Sequence, residues 1–276
     1  MKRRISDEAF DALERRADSG EDADAVLRRI LGLPQLARGA APARHAPVGI
    51  DGAKRGWLAV WRAGEQLAFE LHDSVTAIRE AHVDAAIVAV DVPIGLSDAG
   101  PRAADVLARR FVGGSRASSI FPSPVRGILQ ATSQTEASRL HRQIDERGYG
   151  AQAFAILSKI REWDICLEAH PDFALRVYEV HPEVCFAALD GGKGLQEGKK
   201  TPEGAARRLA LLQREFGEAS VLDLSERVPR RLAAPDDVLD ALVALWSAER
   251  IANRRHGSLP TPGELDSTGR RMAIHY

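Results

Sequence analysis

Four aspartates stand where carboxylates could converge. Asp51 ends the apolar run Pro47–Asp51, and Asp91 lies at the end of a second one, Ala85–Val92. Asp237 and Asp240 are three positions apart and share one face of a helix expected after Pro235. Acids at the carboxyl ends of strands project into the crevice where α/β sheets bind ligands, and a helix bearing two more can close the same cavity. Packed carboxylates repel and desolvate one another, which raises their pKa values. A divalent cation removes that penalty, and hard oxygen donors select Mg²⁺ or Mn²⁺. Two such ions about 3.5–4 Å apart can activate water and stabilise the leaving oxygen in phosphodiester hydrolysis. The expected metal ligands are therefore Asp51, Asp91, Asp237 and Asp240, whereas Asp236 reads as an ordinary first-turn helix acid.

Basic residues fall into local groups. Lys54 and Arg55 sit beside Asp51. Arg102, Arg109, Arg110 and Arg116 surround a loop rich in Gly, Ser and Pro, Gly113 to Gly127. Lys199, Lys200, Arg207 and Arg208 begin and line a helix after a glycine-rich segment. Side chains so placed can hold phosphates, and Lys54, Arg55, Arg102, Arg109, Arg116, Lys199 and Lys200 are the candidates. Arg207 and Arg208 are expected to solvate a helix face. Ser118 and Ser119 lack evident His–Asp partners for a serine nucleophile and count as candidate substrate contacts.

The elements that must position these groups follow from periodicity. Strands are expected at Pro47–Asp51, Trp57–Trp61, Gln66–Leu71, Ala85–Val92 and Arg176–His181. The continuous apolar run of the fourth is the pattern of a strand buried on both faces. Helical spacing appears over about 75–82, 102–110, 133–146, 151–170, 183–189, 202–216 and 235–255, the last with Pro at its first turn. Strands alternating with helices point to an α/β fold with a mixed sheet flanked by helices.

A segment rich in Ala, Pro and Gly, residues 34–47, reads as a linker. It separates a small helical unit, 1–33, from a large domain, 48–276. In the small unit Phe10, Leu13 and Ala17 share one helical face, and Val26, Leu27, Ile30 and Leu31 share another. Two such helices cannot bury a core alone, so this unit is expected to dimerise.

The formal net charge of -1 supplies no overall basic field, so contact with nucleic acid must come from local patches. No stretch is apolar enough to cross a membrane. The start Met1-Lys2-Arg3-Arg4 leads into acids rather than an apolar run, so it does not read as a secretory signal. Cys166 and Cys185 lack metal-ligand spacing and read as buried small hydrophobes. A reducing cytoplasm fits.

Val48-Gly49-Ile50-Asp51, a glycine turn and Trp57-Leu58-Ala59-Val60 resemble the first hairpin of RNase H-like enzymes. Asp237-Val238-Leu239-Asp240-Ala241-Leu242 resembles the closing-helix motif of Holliday-junction resolvases in that superfamily. More closely, the chain resembles the family of predicted RNase H-like nucleases catalogued as domain of unknown function 429. The matching blocks are GIDGAKRGWLAV from Gly49, VDVPIGL from Val90, the basic run Arg102 to Arg110, SSIFPSPVR from Ser118, QAFAILSKIREWD from Gln152, YEVHPEVCF from Tyr178 and KKTPEGAARRLALL from Lys199. Family members usually carry Cys-Arg or a similar pair where this chain has Ala53-Lys54. The resemblance also points to Glu179 as an extra ligand or general base, to His181 as a substrate contact and to Glu183. It implies an RNase H-like nuclease acting on DNA or RNA with Mg²⁺ or Mn²⁺, using Asp51, Asp91, Glu179, Asp237 and Asp240. The first unit resembles a ribbon-helix-helix domain on KRRISDEAFDALERRA and GEDADAVLRRILGL, which implies a homodimer.

Two other classes compete. A phosphate-binding ATPase of the actin and sugar-kinase group would use Asp51-Gly52 and Asp190-Gly191-Gly192-Lys193 as phosphate loops. The first lacks the usual following Gly-Thr or Gly-Ser, and Asp190 follows a helix. A non-catalytic DNA-binding dimer would place the function in residues 1–40.

Overall fold

A computed structural model of the chain describes residues 46–276. The expected ribbon-helix-helix-like unit and nearly all of the linker lie outside the described residues.

Three strands open the fold, β1 (Val48–Gly52), β2 (Trp57–Ala63) and β3 (Gln66–His72). They run antiparallel through tight glycine turns, Gly56 at φ 87° and Gly64 at φ 66°, a conformation that glycine adopts without steric cost. β4 (Val88–Val90) then pairs parallel to β1, and β5 (Val177–Glu179) parallel to β4. The result is a mixed sheet of five strands in the order β3-β2-β1-β4-β5, flanked by helices on both faces.

One face packs against α1 (Val75–Ala81), α3 (Gln134–Asp145) and α5 (Leu157–Ala169) through Ile50, Trp57, Trp61, Ile78, Ile160 and Trp163. Between β4 and α3 lies α2 (Ala103–Val112), and α4 (Ala151–Phe154) precedes α5. The sequence suggests one helix over 151–170, but a turn at Ala155-Ile156 interrupts it. The short α6 (Pro171–Ala174) leads into β5. The other face packs against α7 (Pro182–Leu189), α8 (Pro202–Phe216), α9 (Glu218–Arg227) and α10 (Pro235–Ala252). A hairpin of β6 (Ser258–Leu265) and β7 (Arg271–His275) ends the chain, and His275 bridges to Val180 beyond β5. Neither α9 nor this hairpin is among the expected elements. Among the described residues, no helix is long and apolar enough to cross a membrane.

β1 and α10 approach each other closely. A Cβ placed on Gly49 would lie 2.1 Å from the Leu245 nitrogen and 2.4 Å from the Ala241 oxygen. The missing side chain lets the helix backbone rest directly on the strand that carries Asp51. Alternation along a strand then decides what faces α10. Gly49 and Asp51 point toward it, and Val48 and Ile50 point to the opposite core. β4 repeats the pattern, with Ala89 on the α10 side and Val88 and Val90 opposite.

Candidate active site

The register of β1, β4 and β5 sorts the expected site residues. Ile50, Val90 and Glu179 form one transverse row, and the next residue of each strand, Asp51, Asp91 and Val180, follows with opposite facing. Asp51 and Asp91 therefore emerge side by side on the α10 face, tied by the Asp91 N–H donating to the Ile50 carbonyl at 3.2 Å. Asp240 comes from the first half of α10, packed on β1. Asp51 and Asp240 are buried, 7% and 3% exposed, whereas Asp91 is partly open to a cleft of about 690 Å³ that Asp240 also lines.

Their electrostatics are those of crowded carboxylates. Burial first, then the charges of Asp240, Asp91 and Asp237, raises Asp51 well above the ordinary carboxylate range. Burial, with Glu183 adding, raises Asp91 to about 7, and burial raises Asp240 to about 6, both against the pull of the Lys199 ammonium. Burial also raises Asp237, which is less deep. Asp237 has a structural task besides, because its carboxylate accepts the Ala234 N–H at 2.7 Å and closes the first turn of α10.

Among the described residues, one partly exposed cation contacts this group. Lys199, on the segment between α7 and α8, donates to Asp240 at 2.8 Å and lies 3.5 Å from Asp236. A second ammonium, that of Lys159 on α5, stands near Asp51 without reaching it. It donates to the Gly56 carbonyl at 2.6 Å and sits 4.1 Å from the Trp57 ring centroid. The sequence reading missed Lys159; the only signal was a lysine inside the otherwise apolar stripe of α5.

The donor set is all oxygen and suits a hard divalent ion. As they stand, no three of these aspartates bring carboxylate oxygens all within 4.8 Å of one another. To share one ion, Asp51, Asp91 and Asp240 would have to move closer, and Asp240 would have to exchange its contact with Lys199.

The remaining candidates sort by geometry. Glu179 follows the facing of Ile50 and Val90 rather than that of Asp51, yet it lines the same cleft as Asp91 and Asp240. Both its oxygens are taken by Arg102, at 2.6 and 2.8 Å, and one also accepts the Ile94 N–H at 2.9 Å. Arg102 is itself buried and bound to Asp105 at 2.6 Å and to the Gly95 carbonyl at 2.6 Å, so its guanidinium is engaged within the protein. Arg102, Arg116, Ser118, Ser119, Glu179, His181, Lys199 and Lys200 all line the cleft beside Asp91 and Asp240. His181 caps α7, its Nδ1 accepting the Glu183 N–H at 3.2 Å, and burial lowers its pKa. Arg109 is exposed but donates to the Ile120 carbonyl at 2.8 Å. Lys54 and Arg55 are exposed outside the cleft lining, and Lys54 donates to the Arg230 carbonyl at 3.1 Å.

Arg208 departs from expectation. It does not solvate a helix face but is 1% exposed, donating at 2.9 Å to both oxygens of buried Glu183, which Arg116 also contacts at 2.7 Å. Arg207, its neighbour, is exposed and pairs with Asp190 at 2.5 Å. That pairing occupies the acid of the proposed second phosphate loop. Cys166 and Cys185 are free and buried, as expected.

No curated protein and no solved structure matches the chain. A family model described as "Protein of unknown function (DUF429)" matches residues 49–265, from β1 to the end of β6, and so takes in Asp51, Asp91, Asp237, Asp240 and the cleft around them. The chain therefore belongs to the DUF429 family.

Proposed function

We propose that this protein is a metal-dependent nuclease of the RNase H-like type, hydrolysing phosphodiester bonds of DNA or RNA. The observation that carries the reading is the crowding of Asp51, Asp91 and Asp240 on one sheet face, each raised by burial, with Lys199 as the cation in contact. Such an arrangement is costly without a guest and favourable with one. The fold type is supported by the formed β1–β2 hairpin, by the parallel β1–β4 pair ending in two acids, and by α10 closing over them.

Asp51, Asp91 and Asp240 would hold the Mg²⁺ or Mn²⁺, with Asp237 at the edge of the set. When bound, the ions supply an activated water and neutralise charge on the phosphate. The protein's own groups position the substrate. Lys200 is exposed at the cleft and offers an ammonium to a phosphate. The partly buried Arg116 guanidinium, fixed on Glu183, keeps an Nε without a partner among the described residues. Lys199, once released from Asp240, carries its charge into the same space.

The test is cleavage of single-stranded and duplex DNA, RNA and an RNA–DNA hybrid, with Mg²⁺ or Mn²⁺, by the intact chain and by Asp51→Asn. Metal-dependent cleavage lost in the variant supports the reading. Absence of cleavage of every substrate with either metal, by a folded protein, counts against it.

A further inference from the structure

A second group of ligand atoms lies on the opposite face of the sheet, at its β3 edge. Glu70 and His72 are two positions apart on β3 and point to the same side, toward α1, whose C-terminal cap is His82. The His72 and His82 Nε2 atoms are 3.3 Å apart, the His72 Nε2 is 3.7 Å from a Glu70 oxygen, and the three ligand atoms all lie within 4.8 Å of one another.

We propose that Glu70, His72 and His82 form a site for a divalent transition ion of the zinc class, clasping the end of α1 to the sheet edge. Two ligands about 2.05 Å from a tetrahedral ion stand about 3.3 Å apart, which is the imidazole spacing found here. The same distance is long for a direct N–H···N bond. Two imidazoles and one carboxylate are a donor set of zinc and related ions, not of Mg²⁺. The rings are held in place: His82 contacts the edges of Trp61 and His72, with ring centroids 5.2 and 5.3 Å away. His82 also keeps a buried Nδ1 without a partner among the described residues, so the pair gains little as a plain hydrogen bond. Burial holds both imidazoles below their ordinary pKa, in the neutral form that binds metal. The Glu70 side chain is 38% exposed; it offers the entry path and leaves a fourth position for water. The site shares no residue with the aspartate cluster.

The experiment uses the full, tag-free chain, stripped with chelator and titrated with Co²⁺ and Zn²⁺. One equivalent of Co²⁺ should give the intense visible absorption of a four-coordinate site, which Zn²⁺ bleaches and 10 mM-range Mg²⁺, about the excess that saturates weak oxygen sites, does not. Glu70→Gln, at a half-exposed position where folding is undisturbed, should weaken binding at least tenfold, about the scale of losing a supporting group. His82→Ala should abolish the band, and Asp51→Asn should leave it unchanged. No visible band in the intact chain, or a band that survives in both Glu70→Gln and His82→Ala, overturns the proposal.

Discussion

Two buried charged clusters border one cleft and are built on opposite principles. In one, Arg102 sits between Glu179 and Asp105, and every charge meets an opposite one at 2.6–2.8 Å. A parallel arrangement holds Glu183 between Arg208 and Arg116. In the other, Asp51, Asp91 and Asp240 face one another with a single lysine contact. Depth is similar, so burial alone does not separate them; compensation does. The satisfied clusters hold the protein together. The unsatisfied one keeps a repulsion that protons or a bound cation would relieve, and so carries the functional reading.

The comparison can be broken most sharply at Asp51. Asp51→Asn should lower cleavage by about a thousandfold or more, the scale of losing a metal ligand, while the fold, followed by circular dichroism, persists. Arg102→Ala should do the reverse, removing about 3–5 kcal/mol of stability by stranding two buried carboxylates; a urea titration showing less than about 1 kcal/mol would mean that the satisfied cluster is not structural.

Gly49→Ala tests how the unsatisfied cluster is assembled. Its methyl must part β1 from α10, costing about 1–3 kcal/mol and weakening Mn²⁺ binding, measured by calorimetry, without touching Arg102.

A smaller effect is a pH trend in metal-free protein. An acid whose folded pKa is raised binds its proton more tightly when folded. Its stabilisation is therefore full below the unfolded value, about 3.9, and is lost as pH climbs through about 6 for Asp240 and about 7 for Asp91. Stability should fall between pH 5 and pH 8 by up to about 1.4 kcal/mol per pH unit for each extra proton held. Thermal melts should show this slope, and saturating Mg²⁺ should flatten it. A metal-free melting temperature that rises over this range would contradict the unsatisfied character of the cluster. Least affected should be Lys200→Ala: KM a few-fold higher, kcat unchanged, and the salt dependence of binding reduced by about one phosphate contact.

What the sequence disclosed follows from how local each signal is. The apolar runs that end at Asp51 and Asp91, and the apolar helix that nonetheless carries Asp240, were readable because each pairs a chemical group with its own element. Glu179 was identified with its strand and does line the cleft, but its pairing with Arg102 depends on tertiary contacts that no local pattern reveals. Arg102 and Glu179 meet across a separation of 77 positions, and Arg208 meets Glu183 across 25, so neither arginine could be told from a solvent-facing one. The β6–β7 hairpin was hidden by Pro260 and Pro262 inside its first strand, residues that argue against strand in isolation.

Lys199 is covalently tethered, unlike the ions expected to replace it. Pushed off Asp240, its ammonium cannot diffuse into bulk solvent; the chain keeps it at the mouth of the cleft, where the next anion to arrive is the ligand's own. On the proposed reading, the same positive charge would answer the aspartates in the resting protein and an incoming phosphate in the loaded one, and the pocket would never stand without a counterion while it exchanges guests.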